Sequence, residues 1–125
     1  MEESFNLEAL TAKAESGDLE AQYEMGWRHA LGMEVDLDDD IAVEWLEKAA
    51  GGGHMLAQNN MGARCYTGDG VEQNHKLAYR FFFQAANQGD RKAGKNLDAV
   101  ARQLSEADLK SLRAEMGDAN FATEE

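Results

Sequence analysis

Acidic side chains between residues 36 and 47 have the spacing of a calcium-binding loop. They match positions 1, 3, 5, 9 and 12 of an EF-hand: Asp36, Asp38, Asp40, Glu44 and Glu47. The sixth position, where an EF-hand needs a glycine for its turn, is Ile41. Residues 38–50 also have the pattern of a helix, and ligands on a straight helix do not surround an ion. The sequence therefore favours an acidic helix start over a calcium site.

Histidine and cysteine are the other residues that could bind a metal or do nucleophilic chemistry. His29 and Cys65 lie 36 residues apart, while His54 and His75 fall in or near predicted loops. Packing of a polar-tipped ring and a small thiol explains the first pair without a metal. The sequence contains no HExxH, CxxC, phosphate-loop or catalytic-triad pattern. We therefore expect no catalytic residue, no bound metal and no cofactor.

Charge and composition restrict the partners. The 125 residues contain 24 acidic and 12 basic side chains, for a net charge of -12. Such a surface repels nucleic acid and anionic lipid and attracts basic proteins. Cys65 has no cysteine to pair with, and neither a leader nor a spanning apolar run is evident, which indicates the cytoplasm. We expect a protein or peptide partner, with a basic one favoured, and neither nucleic acid nor a membrane.

A repeat organises the chain. Shifting residues 19–54 onto 55–90 gives eleven identical pairs, among them Met25/Met61, Gly26/Gly62 and Gly53/Gly89. A fixed period of this length predicts a stacked repeat architecture. Each copy contains two helical stretches, and glycines at 17, 53 and 89 mark the junctions between copies. Half repeats flank the two full copies on both sides.

The pattern predicts seven helices and no strand. Their approximate limits are Asn6 or Ser4 to Ser16, Leu19 to Leu31, Asp38 or Asp39 to Ala50, Met55 to Thr67, Asn74 to Asn87, Arg91 onward, and a capping helix over 105–116 that begins at Ser105. A single domain over residues 1–116 and an acidic, flexible tail over 117–125 follow. The mid-helix glycines Gly26 and Gly62 predict points where two helices cross closely, because glycine otherwise weakens a helix.

The repeated residues resemble the Sel-1-like repeat family, a branch of the tetratricopeptide-like α-solenoids. In the first copy the matching residues are Ala21, Met25, Gly26, Gly32, Val35, Ala42, Trp45, Leu46, Ala49, Ala50 and Gly53. The resemblance spans about residues 5–103 and implies an all-α right-handed superhelix of antiparallel helix pairs. The chain departs from the family pattern at His29 and Cys65, where tyrosine is usual, and at Glu34, where a turn glycine is usual. It also lacks the paired cysteines of secreted members.

The resemblance implies that the first helix of each pair lines a concave face. Residues off the core stripe of these helices form the predicted binding face: Tyr23, Glu24, Trp27, Arg28, Asn59, Asn60, Arg64, Lys95 and Asn96. Leu31, Ala63, Thr67 and Ala99 belong to the same helix surfaces. Aromatic side chains with amide and arginine neighbours suit peptide capture. The alternative is that Trp27 fills a gap under the first helix.

Phe83 occupies the outward position of Glu47 in the repeat register. It predicts either a second contact or dimer patch, or packing on the terminal helix. Together these observations favour a non-enzymatic adaptor or scaffold that is a monomer or weak homodimer. A self-associating structural or regulatory protein and a hydrolase without a recognisable motif stay open as alternatives.

Overall fold

The structure, a computed structural model, describes residues 4–117. Within them the chain forms seven α-helices and no strand: α1 (Leu7–Glu15), α2 (Leu19–Leu31), α3 (Asp39–Gly51), α4 (Met55–Thr67), α5 (His75–Asn87), α6 (Arg91–Ala101) and α7 (Glu106–Met116). The predicted all-α class is confirmed. The predictions for the first three residues and for the tail beyond Gly117 lie outside the described residues.

The helices begin where capping side chains accept first-turn backbone N–H groups. Six of these caps are Asn, Asp or Ser, the usual N-cap residues: Asn6, Asp18, Asp38, Asn74, Asp90 and Ser105. The junction glycines Gly17, Gly53 and Gly89 have φ of 103°, 105° and 103°, a left-handed backbone that favours glycine. The glycine junctions and capping residues therefore set the helix limits, as the sequence predicts.

Residue contacts divide the chain into two compact units, Met1–Met61 and Gly62–Glu125, with the boundary inside α4. We call them the N-terminal unit and the C-terminal unit. The single domain expected over residues 1–116 stays a prediction.

In the N-terminal unit, small residues let α2 and α3 pack closely. A Cβ atom built on Gly26 would lie 2.7 Å from Leu46 Cγ, and Leu46 is fully buried. Ala14, Ala21 and Met25 form a buried cluster on which Leu10 and Trp45 pack. The buried Gln22 donates from Nε2 to the Ala14 carbonyl at 3.1 Å, and Gln58 donates to the Ala50 carbonyl at 3.2 Å. These repeated amides satisfy carbonyls in the last turn of the preceding helix.

The C-terminal unit repeats the close crossing with other side chains. A Cβ atom on Gly62 of α4 would lie 2.8 Å from Phe82 of α5, which is 2% exposed. The predicted close crossing is thus present in both copies. α7 packs on α5, burying Leu112, and is joined to it by a bidentate Arg80–Glu115 pair at 2.6 and 3.0 Å. Lys76 and Asp108 add a second ion pair at 3.2 Å.

Candidate partner-binding surfaces

Tyr23 on α2 packs against the start of α4. Its ring stacks on the His54 ring at a centroid distance of 4.5 Å. His54 is buried, and its Nδ1 accepts the Ala57 backbone N–H at 3.2 Å while Nε2 contacts Glu20 Oε1 at 2.7 Å. His54 therefore caps α4, and Tyr23 covers the cap. This use of His54 was missed by the sequence reasoning, because histidine is not among the common capping residues.

Glu24, Trp27 and Arg28 form one cluster on α2. Arg28 Nε donates to Glu24 Oε2 at 2.8 Å, and the guanidinium lies 4.8 Å from the Trp27 ring centroid. The same guanidinium lies 3.7 Å from the ring of Phe5, which precedes α1. Both contacts have the geometry of cation–π interactions. Trp27 is half-buried, so one part of its indole contacts Arg28 and another part is accessible.

Arg28 and its counterpart Arg64 both hold the turn that follows their helix. Arg28 Nη1 donates to the Met33 carbonyl at 3.0 Å, and Arg64 Nη1 donates to the Asp69 carbonyl at 3.3 Å. The backbone N–H groups of Met33 and Asp69 return to the Arg28 and Arg64 carbonyls. The identity at these two positions therefore has a structural reason. Their predicted role in partner binding stays a prediction.

The remaining residues of the predicted binding face differ in exposure. Lys95 on α6 is exposed, whereas Asn59 and Asn60 on α4 and Asn96 on α6 are half-buried. Asn96 takes part in a pocket of the C-terminal unit. Asn59 and Asn60 belong to the N-terminal unit, as do Tyr23 and Trp27. The predicted binding face therefore consists of two sets of side chains, one in each unit.

A small apolar pocket lies between α4, α5 and α6 of the C-terminal unit. Its volume is about 100 Å³, and its lining consists of Ala63, Tyr66, Thr67, Phe82, Asn96, Ala99 and Val100. Four of these, Ala63, Thr67, Asn96 and Ala99, belong to the helix surfaces singled out from the sequence. The aromatic Tyr66 and Phe82 were missed. Repeat register alone gives no signal for them, because their counterparts Ala30 and Leu46 are not aromatic.

Phe83 is half-buried on α5 and its ring lies 6.3 Å from that of Tyr79, one helical turn earlier. The stacked arrangement of these rings accounts for part of the phenylalanine surface. A second contact at Phe83 stays a prediction.

The acidic stretch forms a capped helix start. Asp38 accepts the Ile41 backbone N–H at 3.1 Å, and Asp39 begins α3. His29 is buried and its Nδ1 donates to the Asp36 carbonyl at 3.0 Å, while Cys65 is a buried free thiol. Among residues 4–117, no group of three or more His, Cys, Asp or Glu side chains has a metal-binding arrangement. In the same range, no helix is long and apolar enough to span a membrane.

Two copies of a glycine-punctuated helix pair, with the same close crossing in each, define an α-solenoid repeat protein. The family model of the Sel1 repeat matches residues 19–54 and 56–90. These ranges correspond to the two repeat copies of the chain. The chain belongs to the Sel1 repeat family.

Solved structures of the same class resemble this chain. The crystal structure of a Sel1 repeat protein from Oxalobacter formigenes matches with a TM-score of 0.72 and 28% identity, covering 94% of this chain and 95% of that one. A protective antigen of uropathogenic Escherichia coli with an SLR fold matches with a TM-score of 0.74 and 32% identity. That match covers 94% of this chain and 27% of the antigen, so the chain spans about a quarter of its length. No curated protein sequence matches.

Proposed function

We propose that the protein is a non-enzymatic adaptor that binds a protein or peptide through the first helices of its repeats. Repeat folds of this class present extended helix surfaces, and function then depends on the side chains displayed there. The observation that carries the proposal is the pocket between α4, α5 and α6, because side chains from the predicted binding face line it.

The size and lining of the pocket suit one aliphatic side chain. Its volume of about 100 Å³ is smaller than the roughly 150 Å³ apolar cavity that accommodates a benzene ring. Tyr66, Phe82 and Val100 provide apolar surface, which favours an apolar anchor over a charged one. Buried anchors of this kind dominate binding energy at protein interfaces.

Polar side chains at the same pocket suit the backbone of a peptide. Thr67 and Asn96 line it beside the apolar residues. The Thr67 hydroxyl donates to the Ala63 carbonyl at 3.0 Å and keeps acceptor capacity, and an asparagine amide carries both donor and acceptor groups. Lys95, exposed next to Asn96, adds a positive charge at this end of the predicted binding face. The ligand supported by these groups is a peptide segment with an aliphatic anchor residue.

In the N-terminal unit, the cluster of Glu24, Trp27 and Arg28 supports a second part of the same function. Aromatic and arginine side chains are enriched in the most strongly contributing positions of interfaces. The Glu24–Arg28 ion pair fixes the guanidinium beside Trp27, so less conformational entropy is lost when a partner binds there. A basic partner and a cytoplasmic location stay predictions from the sequence.

Selection from a random peptide library tests the proposal. Peptides that bind the wild-type protein should be enriched in an aliphatic residue, and they should lose affinity for the Ala99→Leu variant, whose larger side chain fills the pocket. Ala107→Leu on α7 is the matched control, because Ala107 is exposed and lies outside the pocket lining. Selected peptides that bind Ala99→Leu as tightly as wild type would overturn the pocket assignment.

A further inference from the structure

The last residue of α2 and the turn that follows it expose three large apolar side chains. Leu31, Met33 and Leu37 have exposed fractions of 65%, 47% and 70%. We call these three residues the turn patch. Single exposed apolar residues are ordinary on a protein surface, but here three lie within the seven residues 31–37.

The second repeat provides an internal comparison for this turn. Thr67, Asp69 and Gln73 occupy the positions equivalent to the turn patch, and all three are polar and exposed. The backbone arrangement is the same in both turns. Gly32 and Gly68 are both left-handed, with φ of 68° and 81°, and in both turns the arginine of the preceding helix donates to the turn carbonyl.

The side chain nearest to the turn glycine lies at the same distance in both copies, although it is apolar in the first copy and polar in the second. A Cβ atom on Gly32 would lie 3.3 Å from Leu37 Cβ, and one on Gly68 would lie 3.3 Å from Gln73 Cβ. A polar residue therefore satisfies the geometry that Leu37 satisfies. The second turn thus forms with polar residues at all three positions, which favours a binding role for the turn patch over a structural one.

The acidic residues around the turn patch indicate what kind of partner would bind it. The N-terminal unit contains 14 of the 24 acidic residues but 3 of the 12 basic ones, whereas the C-terminal unit contains 10 acidic and 9 basic residues. Exposed Glu34 and Asp36 lie in the turn itself. Arg28, which bonds the Met33 carbonyl, is already paired with Glu24. The turn patch is thus an apolar surface in an acidic setting.

We infer that the turn patch binds a basic protein segment that carries large apolar residues, such as a basic amphipathic helix. Lysine or arginine side chains of the segment complement Glu34 and Asp36, and its apolar residues cover Leu31, Met33 and Leu37. A second copy of this chain would bring like charges together, and an anionic lipid surface would be repelled for the same reason. The inference extends the partner chemistry of the proposed function but uses a different surface from the pocket.

A synthetic peptide of leucine and lysine at helical spacing is the probe. The control peptide has serine in place of each leucine and keeps the charge. For wild type, we expect the leucine peptide to bind at least about tenfold more tightly than the serine peptide. In the Ala99→Leu variant, whose pocket is filled, this ratio should persist. Adding Leu31→Thr/Met33→Ser/Leu37→Gln should bring it to about one; threonine and glutamine are the residues of the second turn, and serine replaces Met33 without adding a charge. An unchanged ratio would overturn the inference.

A second variant tests the two carboxylates in the turn. Glu34→Gln/Asp36→Asn keeps the turn patch, and it should weaken binding of the leucine peptide and reduce the dependence of its affinity on salt. Unchanged affinity and salt dependence in this variant would contradict the proposed role of these carboxylates. Circular dichroism of both variants establishes that the helices are intact.

Two further measurements would reveal that the turn patch binds something other than a basic protein segment. If sedimentation velocity shows a wild-type dimer that the turn-patch variant loses, the occupant is a second copy and the inference fails. If phosphatidylcholine vesicles bind wild type but not this variant, the occupant is a lipid surface and the inference also fails. Because the two peptides are compared with the pocket filled by Ala99→Leu, failure of the pocket proposal is distinguishable from failure here.

Discussion

Gly26 of α2 lies directly against Leu46 of α3, so close that a Cβ atom at residue 26 would be 2.7 Å from Leu46 Cγ. Gly62 and Phe82 reproduce this relationship in the second copy. Glycine in a helix interior costs roughly 1 kcal/mol relative to alanine, yet both copies retain it. The close crossing of each helix pair explains the retention, because a larger residue would separate the helices.

Replacing either crossing glycine by alanine should destabilise the protein despite the better helix propensity. Leu46 and Phe82 are buried and cannot move freely, so we expect Gly26→Ala and Gly62→Ala each to lower the free energy of unfolding by about 1–3 kcal/mol. Gly94→Ala in α6 is the control, because a Cβ there meets nothing within 4 Å. It should leave stability unchanged or raise it by up to about 1 kcal/mol. Urea denaturation measures all three, and equal stability of the crossing variants and wild type would refute close packing.

The two ring nitrogens of His54 should have fixed and different roles. A backbone N–H can only donate, so Nδ1, which accepts from Ala57, carries no proton, and the ring proton lies on Nε2 toward Glu20. Nitrogen chemical shifts of the imidazole report the tautomer directly. A proton on Nδ1 would contradict the assigned cap.

Loss of the His54 cap should destabilise the start of α4. We expect His54→Ala to lower the free energy of unfolding by about 0.5–2 kcal/mol, the usual range for losing a side-chain cap. His54→Asn is the matched variant, since an amide oxygen can accept the same backbone N–H, as Asn74 does for α5. His54→Asn should recover the part of the unfolding free energy that capping contributes. If both variants lose stability equally, stacking on Tyr23 rather than capping is the main contribution.

Glu34 should be the strained counterpart of Gly70. Glu34 has φ of 63° and Gly70 has φ of 76°, and this left-handed region disfavours residues with a Cβ by roughly 1–2 kcal/mol. Because glycine also gains freedom in the unfolded chain, Glu34→Gly should be neutral or stabilising by up to about 1 kcal/mol. Gly70→Glu should be destabilising by about 1 kcal/mol. Denaturation curves that show a clear loss for Glu34→Gly would indicate a stabilising contact of its carboxylate.

The ion pair between α5 and α7 should be visible in the titration of Glu115. The two hydrogen bonds from Arg80 lower the pKa of the Glu115 carboxyl below its ordinary value, and the same contacts raise the pKa of Arg80. A lowered carboxyl pKa contributes stability above the ordinary glutamate pKa, and the contribution disappears as the pH falls through the lowered pKa. In Arg80→Gln, the Glu115 midpoint measured by NMR should rise toward the ordinary value. The same midpoint in both proteins would mean that the pair does not form in solution.

Much of this fold could be predicted from local chemistry. Glycine at the junctions and Asn, Asp or Ser at the caps mark helix limits through backbone geometry, which depends on near neighbours in sequence. The His54 cap was not predicted, because it depends on a ring nitrogen placed by tertiary packing against Tyr23. The pocket itself was not predicted: Asn96 lies on a surface that helical spacing identifies, whereas Tyr66 and Phe82 line the pocket through packing between helices.

The most direct test of the adaptor proposal is an NMR map of a library-selected peptide on the isotopically labelled protein. We expect backbone amide shifts to change most around the pocket residues Ala63, Thr67, Asn96 and Ala99. Ala99→Leu should abolish these changes, and Ala107→Leu should not. Shift changes confined to other parts of the chain, or changes at the pocket that persist in Ala99→Leu, would contradict the proposal.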